Sequence, residues 1–303
     1  MKRVWIVLLL GSLVWGLSSC AKKKTEAADG RSDAEGAAPT RLVMGMIPAE
    51  DNEQIAETFE PMRKYLEEGL GCRVEVAFAT DYASVIEAMK QKKVDIAWFG
   101  PLSYVLAERE AGAEAFAIGV KKNGTSTYYS YFVVPGDSPA QTLDDLAGRA
   151  VAFVDPASTS GGLVPTYIIR RKYGKTVDEF FGRLIYAGSH NAAELAVKNK
   201  TVDAAATDSI VYERMVAQGM ITPESNRILS RSDPLPGSPL TYRSDLPAEL
   251  KRKIQALITS AHEHIDVTGY DNNIVRYDQA DPSTYDVIRT MVRELNLTDD
   301  QLL

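Results

Sequence analysis

The chain has 303 residues and a formal net charge of −7, from 34 basic and 41 acidic side chains. No stripe of lysine and arginine interleaved with aromatic residues occurs, so nucleic acid is not an expected partner. An anionic ligand would have to be held by local hydrogen bonds, because the surface as a whole is not positive. About 260 residues follow the N-terminal segment, more than one hydrophobic core comfortably holds, so two lobes are expected.

The N-terminus predicts a secretory signal peptide over residues 1–19. A basic start precedes the apolar run 4–17, and small residues precede Cys20. These features are typical of a cleaved secretory signal, and small residues before a cysteine resemble a bacterial lipobox. We expect cleavage before Cys20, diacylation of its thiol and a lipid-anchored location in the periplasm or cell envelope. A plain signal peptide with an incidental cysteine is the alternative. Residues 20–40 are small or charged and predict a flexible tether.

Lipidation of Cys20 would leave Cys72 as the only free thiol. A single thiol excludes an internal disulfide framework and a cysteine-based zinc site. Cys72 is expected to be a small buried hydrophobe at the start of a strand.

From residue 41 onward, strand-length apolar runs alternate with helix-length amphipathic segments. In chain order the pattern predicts strand 42–47, helix 53–70, strand 73–78, helix 82–91, strands 95–99, 115–120, 131–134 and 150–154, helix 163–173, strand 184–187, helix 192–199, strand 202–206 and helices within 250–303. This order predicts an α/β fold whose sheets are mostly parallel and flanked by helices. Pro61 predicts a kink in the first helix or the start of a second short one.

The predicted division places 41–131 and 240–303 in lobe 1 and 132–239 in lobe 2. Two strand-like crossings would join the lobes as a hinge, and the proline-rich loop 232–240 would be the return crossing. In sheets of this kind, ligands bind beyond the carboxyl ends of the strands.

Three consecutive hydroxyl residues, Ser158, Thr159 and Ser160, lie between the predicted strand 150–154 and the predicted helix 163–173. The first N–H groups of a helix lack internal partners, and hydroxyls beside them make a cradle for a small oxyanion. Two glycines follow and let the backbone approach closely. An ordinary helix N-cap is the alternative, although one cap needs only one hydroxyl.

His190 and Asp208 each follow a predicted strand, and both are expected at the same cleft. A histidine donates hydrogen bonds to an anion, although a lone histidine is more often structural. An ionised carboxylate only accepts hydrogen bonds, so Asp208 suits an anion that keeps one P–OH proton and rejects sulfate. The alternative for Asp208 is a helix N-cap.

Aromatic residues are dense near the same strand ends. Tyr82 and Tyr128 are predicted to face the cleft, where phenol hydroxyls can donate to an oxyanion. Trp98, Phe99 and Tyr131 are predicted to belong to the core. We see no nucleophile–base pair and no cluster of metal ligands, so no enzyme activity, metal or cofactor is predicted.

Five motifs closely resemble the periplasmic phosphonate-binding proteins of ABC transporters, a family of type II solute-binding proteins. The motifs are ATDYASVIEAMKQKKVDIAWFGPLSY (79–104), YYSYFVV (128–134), DPASTSGGLVP (155–165), AGSHNAAELAVKNKTVDAAATDS (187–209) and SDPLPGSPL (232–240). The resemblance covers roughly residues 42–295 and implies a two-lobed fold that closes on its ligand about a hinge.

The resemblance implies a binding component that delivers a phosphonate to an ABC permease. The residues implied to hold the phosphonate oxygens are Tyr128, Ser158, Thr159, Ser160 and His190. Tyr82 is implied to contribute to the pocket.

The chain departs from the aminoalkylphosphonate-binding members of this family. Those members place carboxylates near Ile210 and at Ser238 to hold the ligand's ammonium group, and here the two positions are apolar and neutral. We therefore expect a compact ligand such as methylphosphonate or phosphite, rather than 2-aminoethylphosphonate. A receptor for phosphate or a sulfonate, a sensor lobe and a secreted phosphoryl-transfer enzyme remain alternatives.

Overall fold

The computed structural model describes residues 39–267 and 273–303. The predicted signal peptide, the predicted lipidation site Cys20 and nearly all of the predicted tether lie outside the described residues. Within these two ranges, no helix has both the length and the apolar character to cross a membrane.

Two β-sheets organise the chain. The strands are β1 (Arg41–Met46), β2 (Arg73–Phe78), β3 (Ile96–Trp98), β4 (Ala113–Lys121), β5 (Thr127–Tyr128), β6 (Ser130–Pro135), β7 (Ala150–Phe153), β8 (Arg183–Tyr186), β9 (Ala204–Asp208), β10 (Asn226–Arg231), β11 (Leu235–Pro236), β12 (Pro239–Arg243) and β13 (Ile274–Gln279). The first sheet has the order β13-β4-β12-β3-β1-β2, and the second has the order β10-β6-β9-β7-β8.

Both sheets are mixed, so the prediction of mostly parallel sheets was wrong. In the first sheet β1 runs parallel to β2 and β3, but β12 and β4 are antiparallel to their neighbours. In the second sheet β7 runs parallel to β8 and β9, but β6 is antiparallel to β9 and β10. Strands buried on both faces are apolar throughout whatever their direction, so the apolar runs did not reveal the antiparallel strands.

Helices cover the sheets. They are α1 (Asn52–Leu70), α2 (Tyr82–Lys90), α3 (Pro101–Ala111), α4 (Val164–Tyr173), α5 (Val177–Phe180), α6 (His190–Lys198), α7 (Ser209–Ala217), α8 (Ala248–Ser260), α9 (Asp286–Leu295) and α10 (Asp299–Leu302). The predicted buried face of α1 is confirmed, with Ile55, Phe59, Met62 and Leu66 all buried. Pro61 lies inside α1, which continues through it as one helix. Cys72 is half-buried between α1 and β2, rather than fully buried as predicted.

The chain changes sheet twice, and the two crossings lie side by side. One crossing runs from β4 to β6 and contains β5; the other runs from β10 to β12 and contains β11. β5 and β11 pair antiparallel, with Leu235 opposite Tyr128. The lobe limits predicted at 131/132 and 239/240 fall near the first residues of β6 and β12 and stay a prediction. Ser130 and Tyr131 pair with β9 of the second sheet.

A buried carboxylate ties three strands of the first sheet together. Asp95 precedes β3, accepts a hydrogen bond from the backbone N–H of Val43 in β1 at 2.8 Å, and pairs with Arg243 of β12 at 2.9 Å. Arg243 also pairs with Asp245, whose side chain is 43% exposed. The same guanidinium therefore meets one buried and one exposed carboxylate.

Replacing Asp95 with alanine should lower the free energy of unfolding by about 3–5 kcal/mol, because Arg243 and the Val43 amide lose a buried partner. Asp245→Ala is the matched control and should cost no more than about 1 kcal/mol, since exposed pairs are weak. Urea denaturation measures both. Equal losses in the two variants would contradict a structural role for the buried carboxylate.

Candidate functional site

A small cavity lies between the two sheets at the carboxyl ends of their strands. Its volume is about 20 Å³, room for roughly one water molecule. The residues that line it are Ile47, Ala49, Tyr82, Trp98, Gly100, Tyr128, Ser158, Thr159, Ser160, His190, Asp208, Ile210 and Ser238. All seven side chains predicted to bind the ligand line this one cavity. Their contact with a ligand stays a prediction.

The turn Ser158–Ser160 after β7, called the hydroxyl turn below, leads into a helical turn that is wider than the α-helix expected from the sequence. The helix predicted from residue 163 begins at Val164 and is preceded by a π-helical turn, Thr159–Leu163. The Ser158 hydroxyl oxygen accepts a hydrogen bond from the Gly161 backbone N–H at 3.1 Å. Ser158 is thus a helix cap and a cavity wall at once, so the two interpretations of the turn are compatible. π-Helical turns are rare in proteins as a whole, and those that occur are frequently found at functional sites.

Two glycines allow this turn to pack directly on its own strand. A Cβ at Gly161 would lie 2.4 Å from a methyl group of Val154, and one at Gly162 would lie 2.4 Å from the Asp155 carbonyl oxygen. Neither distance is possible without a shift. The glycines are therefore required for packing within the turn, and a close approach of this backbone to an anion stays a prediction.

Thr159 joins the turn to the other sheet. Helix α3 begins after Gly100, which has no side chain to cap it. The Thr159 Oγ1 atom supplies the missing acceptor and receives a hydrogen bond from the Leu102 backbone N–H at 2.8 Å. Because the oxygen is used as an acceptor there, the hydroxyl proton of Thr159 is available to donate into the cavity.

The two predicted cavity tyrosines are buried and uncharged. Burial, together with the charges of Asp155 and Asp208, raises the pKa of Tyr82 well above its ordinary value. Burial and the Asp208 charge likewise raise the pKa of Tyr128. Both phenols therefore keep their protons and can act as hydrogen-bond donors.

His190 is held as a neutral imidazole. Its Nδ1 atom accepts a hydrogen bond from the Asp208 backbone N–H at 3.1 Å and lies 3.1 Å from Thr207 Oγ1. An Nδ1 that accepts from an amide carries no proton, so the proton lies on Nε2. Burial lowers the pKa of His190; the Asp208 charge opposes this and the Arg214 charge adds to it.

Asp208 is the helix N-cap that was predicted as one alternative, and it also lines the cavity. Its Oδ1 atom accepts a hydrogen bond from the Val211 backbone N–H at 2.6 Å and so caps α7. Its Oδ2 atom lies 3.4 Å from His190 Nε2. The carboxylate thus places one oxygen on the helix and the other beside the imidazole of the cavity.

Some features of the site were not predicted. Trp98 is buried as expected of a core residue, as are Phe99 and Tyr131, but it also lines the cavity. It is the last residue of β3, so the rule on strand ends could have found it. Ile210 and Ser238, the positions that lack the carboxylates of aminoalkylphosphonate-binding members, both line the cavity.

Glu194 is a buried acid that the sequence did not single out. It lies one turn after His190 on α6, and its Oε2 atom accepts a hydrogen bond from Asn226 Nδ2 at 2.7 Å. Burial raises the pKa of Glu194 to about 8, although the Asn226 hydrogen bond opposes this and the Asp208 charge adds to it. The side chain is therefore protonated and neutral at neutral pH.

This shift makes the stability of the protein depend on pH. The folded state keeps the Glu194 proton up to about pH 8, whereas the unfolded chain releases it above its ordinary pKa of 4.5. The contribution is complete below the unfolded pKa and is lost as pH rises through the folded pKa. Glu194→Gln mimics the neutral acid, so it should match the wild type near roughly pH 5 and exceed its unfolding free energy near about pH 9.

Urea denaturation at the two pH values tests the Glu194 prediction. Glu213→Gln, at an exposed position of α7, is the control and should follow the wild-type curve at both. A Glu194→Gln variant with the wild-type pH dependence would show that the buried acid ionises freely.

Known proteins resemble this chain over most of its length. Residues 44–285 match the family model described as "ABC transporter, phosphonate, periplasmic substrate-binding protein". The chain is 34% identical over 217 residues to the phosphonates-binding periplasmic protein of Escherichia coli K12, over 70% of this chain and 64% of that protein. It is 35% identical over 229 residues to the phosphate-import protein PhnD of Mycolicibacterium smegmatis, over 72% and 71% of the two chains.

A solved structure has the same architecture. The binding-protein component of an ABC phosphonate transporter from Pseudomonas aeruginosa superimposes with a TM-score of 0.77 at 29% identity, over 83% of this chain and 85% of that one. The match to the Escherichia coli protein, however, spans less than two thirds of its length.

Two mixed sheets, two adjacent crossings and a polar cavity at the strand ends define a two-lobed solute-binding protein of type II. Lobe 1 contains the first sheet and lobe 2 the second. The chain belongs to the family of periplasmic substrate-binding proteins of phosphonate ABC transporters. This is a family of binding proteins and not of enzymes. The described ranges hold no group of three or more histidine, cysteine, aspartate or glutamate side chains placed to bind a metal ion.

Proposed function

We propose that this chain captures a small phosphorus oxyanion in the cavity between its lobes and delivers it to an ABC permease. The observation that carries the proposal is the polarity of the cavity wall. Hydroxyl and imidazole donors converge on it from both sheets, and a single carboxylate, Asp208, faces them. The lining residues include neither lysine nor arginine, so the anion would be held by neutral donors.

The neutral donors suit a ligand with several anionic oxygens. The phenols of Tyr82 and Tyr128 and the hydroxyls of the turn Ser158–Ser160 each carry one proton to donate. His190 adds its Nε2–H. In a buried site such hydrogen bonds are stronger than in water, because the surrounding dielectric is low.

Asp208 favours an oxyanion that retains a proton. A carboxylate beside an oxygen that bears no proton would be repelled, whereas a P–OH group can donate to it. Methylphosphonate and phosphite carry such a proton as monoanions. Sulfate carries none at neutral pH and is disfavoured.

The rest of the cavity favours a small uncharged substituent on phosphorus. Trp98, Ile210 and Ser238 form the wall where an ammonium-binding carboxylate would be needed. Burying an ammonium group without a partner is costly. We therefore propose methylphosphonate or phosphite as the ligand, in preference to 2-aminoethylphosphonate. Phosphate is the second candidate, because one relative is a phosphate-import protein.

Capture would require the lobes to open and close. The cavity is lined from both sheets and, as it stands, is too small for a phosphonate, so the lobes would have to separate for a ligand to enter. Closure expels water and completes the surface that a permease could recognise. We further propose that Cys20 carries the lipid that holds the protein at the membrane, on the strength of the signal sequence alone.

A ligand panel tests the proposed specificity. Isothermal titration calorimetry should show binding of methylphosphonate and phosphite, with 2-aminoethylphosphonate bound at least about 30-fold more weakly. Sulfate and methanesulfonate should bind weakly or not at all. Preference for phosphate would favour the second candidate, and absence of binding to every phosphorus compound would overturn the proposal.

Thr159→Val should weaken binding by about 1.5–3 kcal/mol, because it removes both the donor to the ligand and the acceptor for Leu102. Thr159→Ser keeps the hydroxyl and should stay close to the wild type. Thr201→Val alters an exposed threonine and is the control. If calorimetry gives the same affinity for all three variants, the turn does not bind the ligand.

Asp208→Asn should weaken binding of the protonated oxyanion and reduce discrimination against sulfate. Asparagine also caps helices, so α7 should keep its N-terminal hydrogen bond to Val211. Asp81→Asn, a cap of α2 on the protein surface, is the matched control. Competition between methylphosphonate and sulfate measures the effect, and unchanged selectivity would exclude Asp208 as the acceptor.

A further inference from the structure

A buried ion pair crosses from one lobe to the other beside the cavity. Glu50 follows β1 of the first sheet, and Arg214 lies on α7, which follows β9 of the second sheet. A carboxylate oxygen of Glu50 is paired with the Arg214 guanidinium, and their side chains are only 1% and 5% exposed. Both charges are thus removed from water where the two lobes meet.

Neither residue lines the cavity, but both adjoin its histidine wall. Ala49, the neighbour of Glu50, lines the cavity, and its carbonyl accepts a hydrogen bond from the His190 backbone N–H at 2.9 Å. The Arg214 charge contributes to lowering the pKa of His190. The pair is therefore linked to the His190 backbone through Ala49, and neither of its members lines the cavity.

The other contacts between the lobes differ in kind from this pair. Thr159 and Asp155 accept single hydrogen bonds from backbone amides of α3 and α2. The Arg171–Glu294 pair joins α4 to α9 at the surface, where the two side chains are 66% and 42% exposed. Across the described part of the chain, the Glu50–Arg214 pair is the ion pair between the sheets that is buried on both sides.

A charge pair of this kind discriminates between closed and misaligned lobes. When the lobes separate, both groups regain water, and when they close correctly, mutual attraction roughly offsets the loss of hydration. A closed arrangement that buried one charge without the other would be strongly disfavoured. The pair therefore allows closure in one relative position of the lobes. It contributes little free energy to closure itself, so the favourable free energy of closure comes from the ligand.

We propose that Glu50 and Arg214 form an inter-lobe latch that positions His190 and supports ligand affinity by permitting only the correctly aligned closed form. The affinity part of this inference rests on the proposed function, whereas the closure part does not. The latch residues are positioning residues, since they act on the ligand only through the closed arrangement.

Single and double substitutions test the latch. Glu50→Gln and Arg214→Met should each weaken methylphosphonate binding at least about 30-fold, because each removes one charge of the pair and leaves the opposite charge buried in the closed form. The double variant removes both charges, so its loss should be clearly smaller than the sum of the two single losses. Glu294→Gln breaks the exposed inter-lobe pair and, as the matched control, should change affinity less than about fivefold.

Amide hydrogen exchange supplies a readout that needs no ligand. The His190 and Leu102 amides lie in the first turns of α6 and α3, where helices provide no acceptor, and both donate across the lobes. Both amides should exchange faster in each single variant and recover protection in the double variant. Exchange of the Ala193 amide, which donates to Ser189 within α6, should not change.

Two outcomes overturn the latch. One is wild-type exchange at His190 and Leu102 in both single variants, and the other is additive losses in the double variant. If the wild-type protein binds none of the phosphorus compounds, the proposed function fails while the exchange data still decide on the latch. If a single variant does not fold, Glu50→Asp and Arg214→Lys replace it, because they keep the charges and change only the length or shape of the side chain. Wild-type amide exchange in both of these variants would also count against the latch.

Discussion

The cavity depends on two hydrogen bonds in which lobe 2 supplies the acceptor and a backbone N–H group at the start of a lobe 1 helix is the donor. Thr159 accepts from the Leu102 amide at the start of α3, and Asp155 accepts from the Tyr82 amide at the start of α2, at 3.4 Å. Both acceptors lie just after β7: Asp155 precedes the hydroxyl turn, and Thr159 belongs to it. Two of the hydrogen bonds that unite the lobes and three of the predicted ligand-binding hydroxyls therefore belong to one short segment, so the proposed capture of a ligand would be coupled to closure through the same backbone.

The proposed site would hold an anion without a formal positive charge. Burial keeps the phenols of Tyr82 and Tyr128 protonated, and the amide of Asp208 fixes the proton of His190 on Nε2. Neutral donors impose a direction on each hydrogen bond, whereas a lysine would attract any anion of suitable charge. Recognition by direction, with Asp208 as the one acceptor, is well suited to separating protonated from bare oxyanions.

The sequence predicted the parts of the structure that short segments determine. The hydroxyl turn, the buried face of α1 and the gathering of seven side chains at the strand ends follow from local patterns and from a general rule on α/β sheets. The prediction of strand direction was wrong, because apolar runs such as 131–134 look the same in parallel and antiparallel sheets. The Glu50–Arg214 pair was not predicted either. Its members lie on different lobes, and no local sequence pattern around either residue indicates that the two are in contact.

The position of Tyr128 on the paired crossings has a mechanical consequence. Tyr128 belongs to β5, which is hydrogen-bonded to β11, and these two strands join the lobes. Points near a pivot travel least when two bodies rotate about it. We therefore expect the Tyr128 hydroxyl to move less than the other predicted donors when the lobes close. An arriving ligand would then bind first to this hydroxyl. A structure of the separated form with a displaced Tyr128 would contradict this.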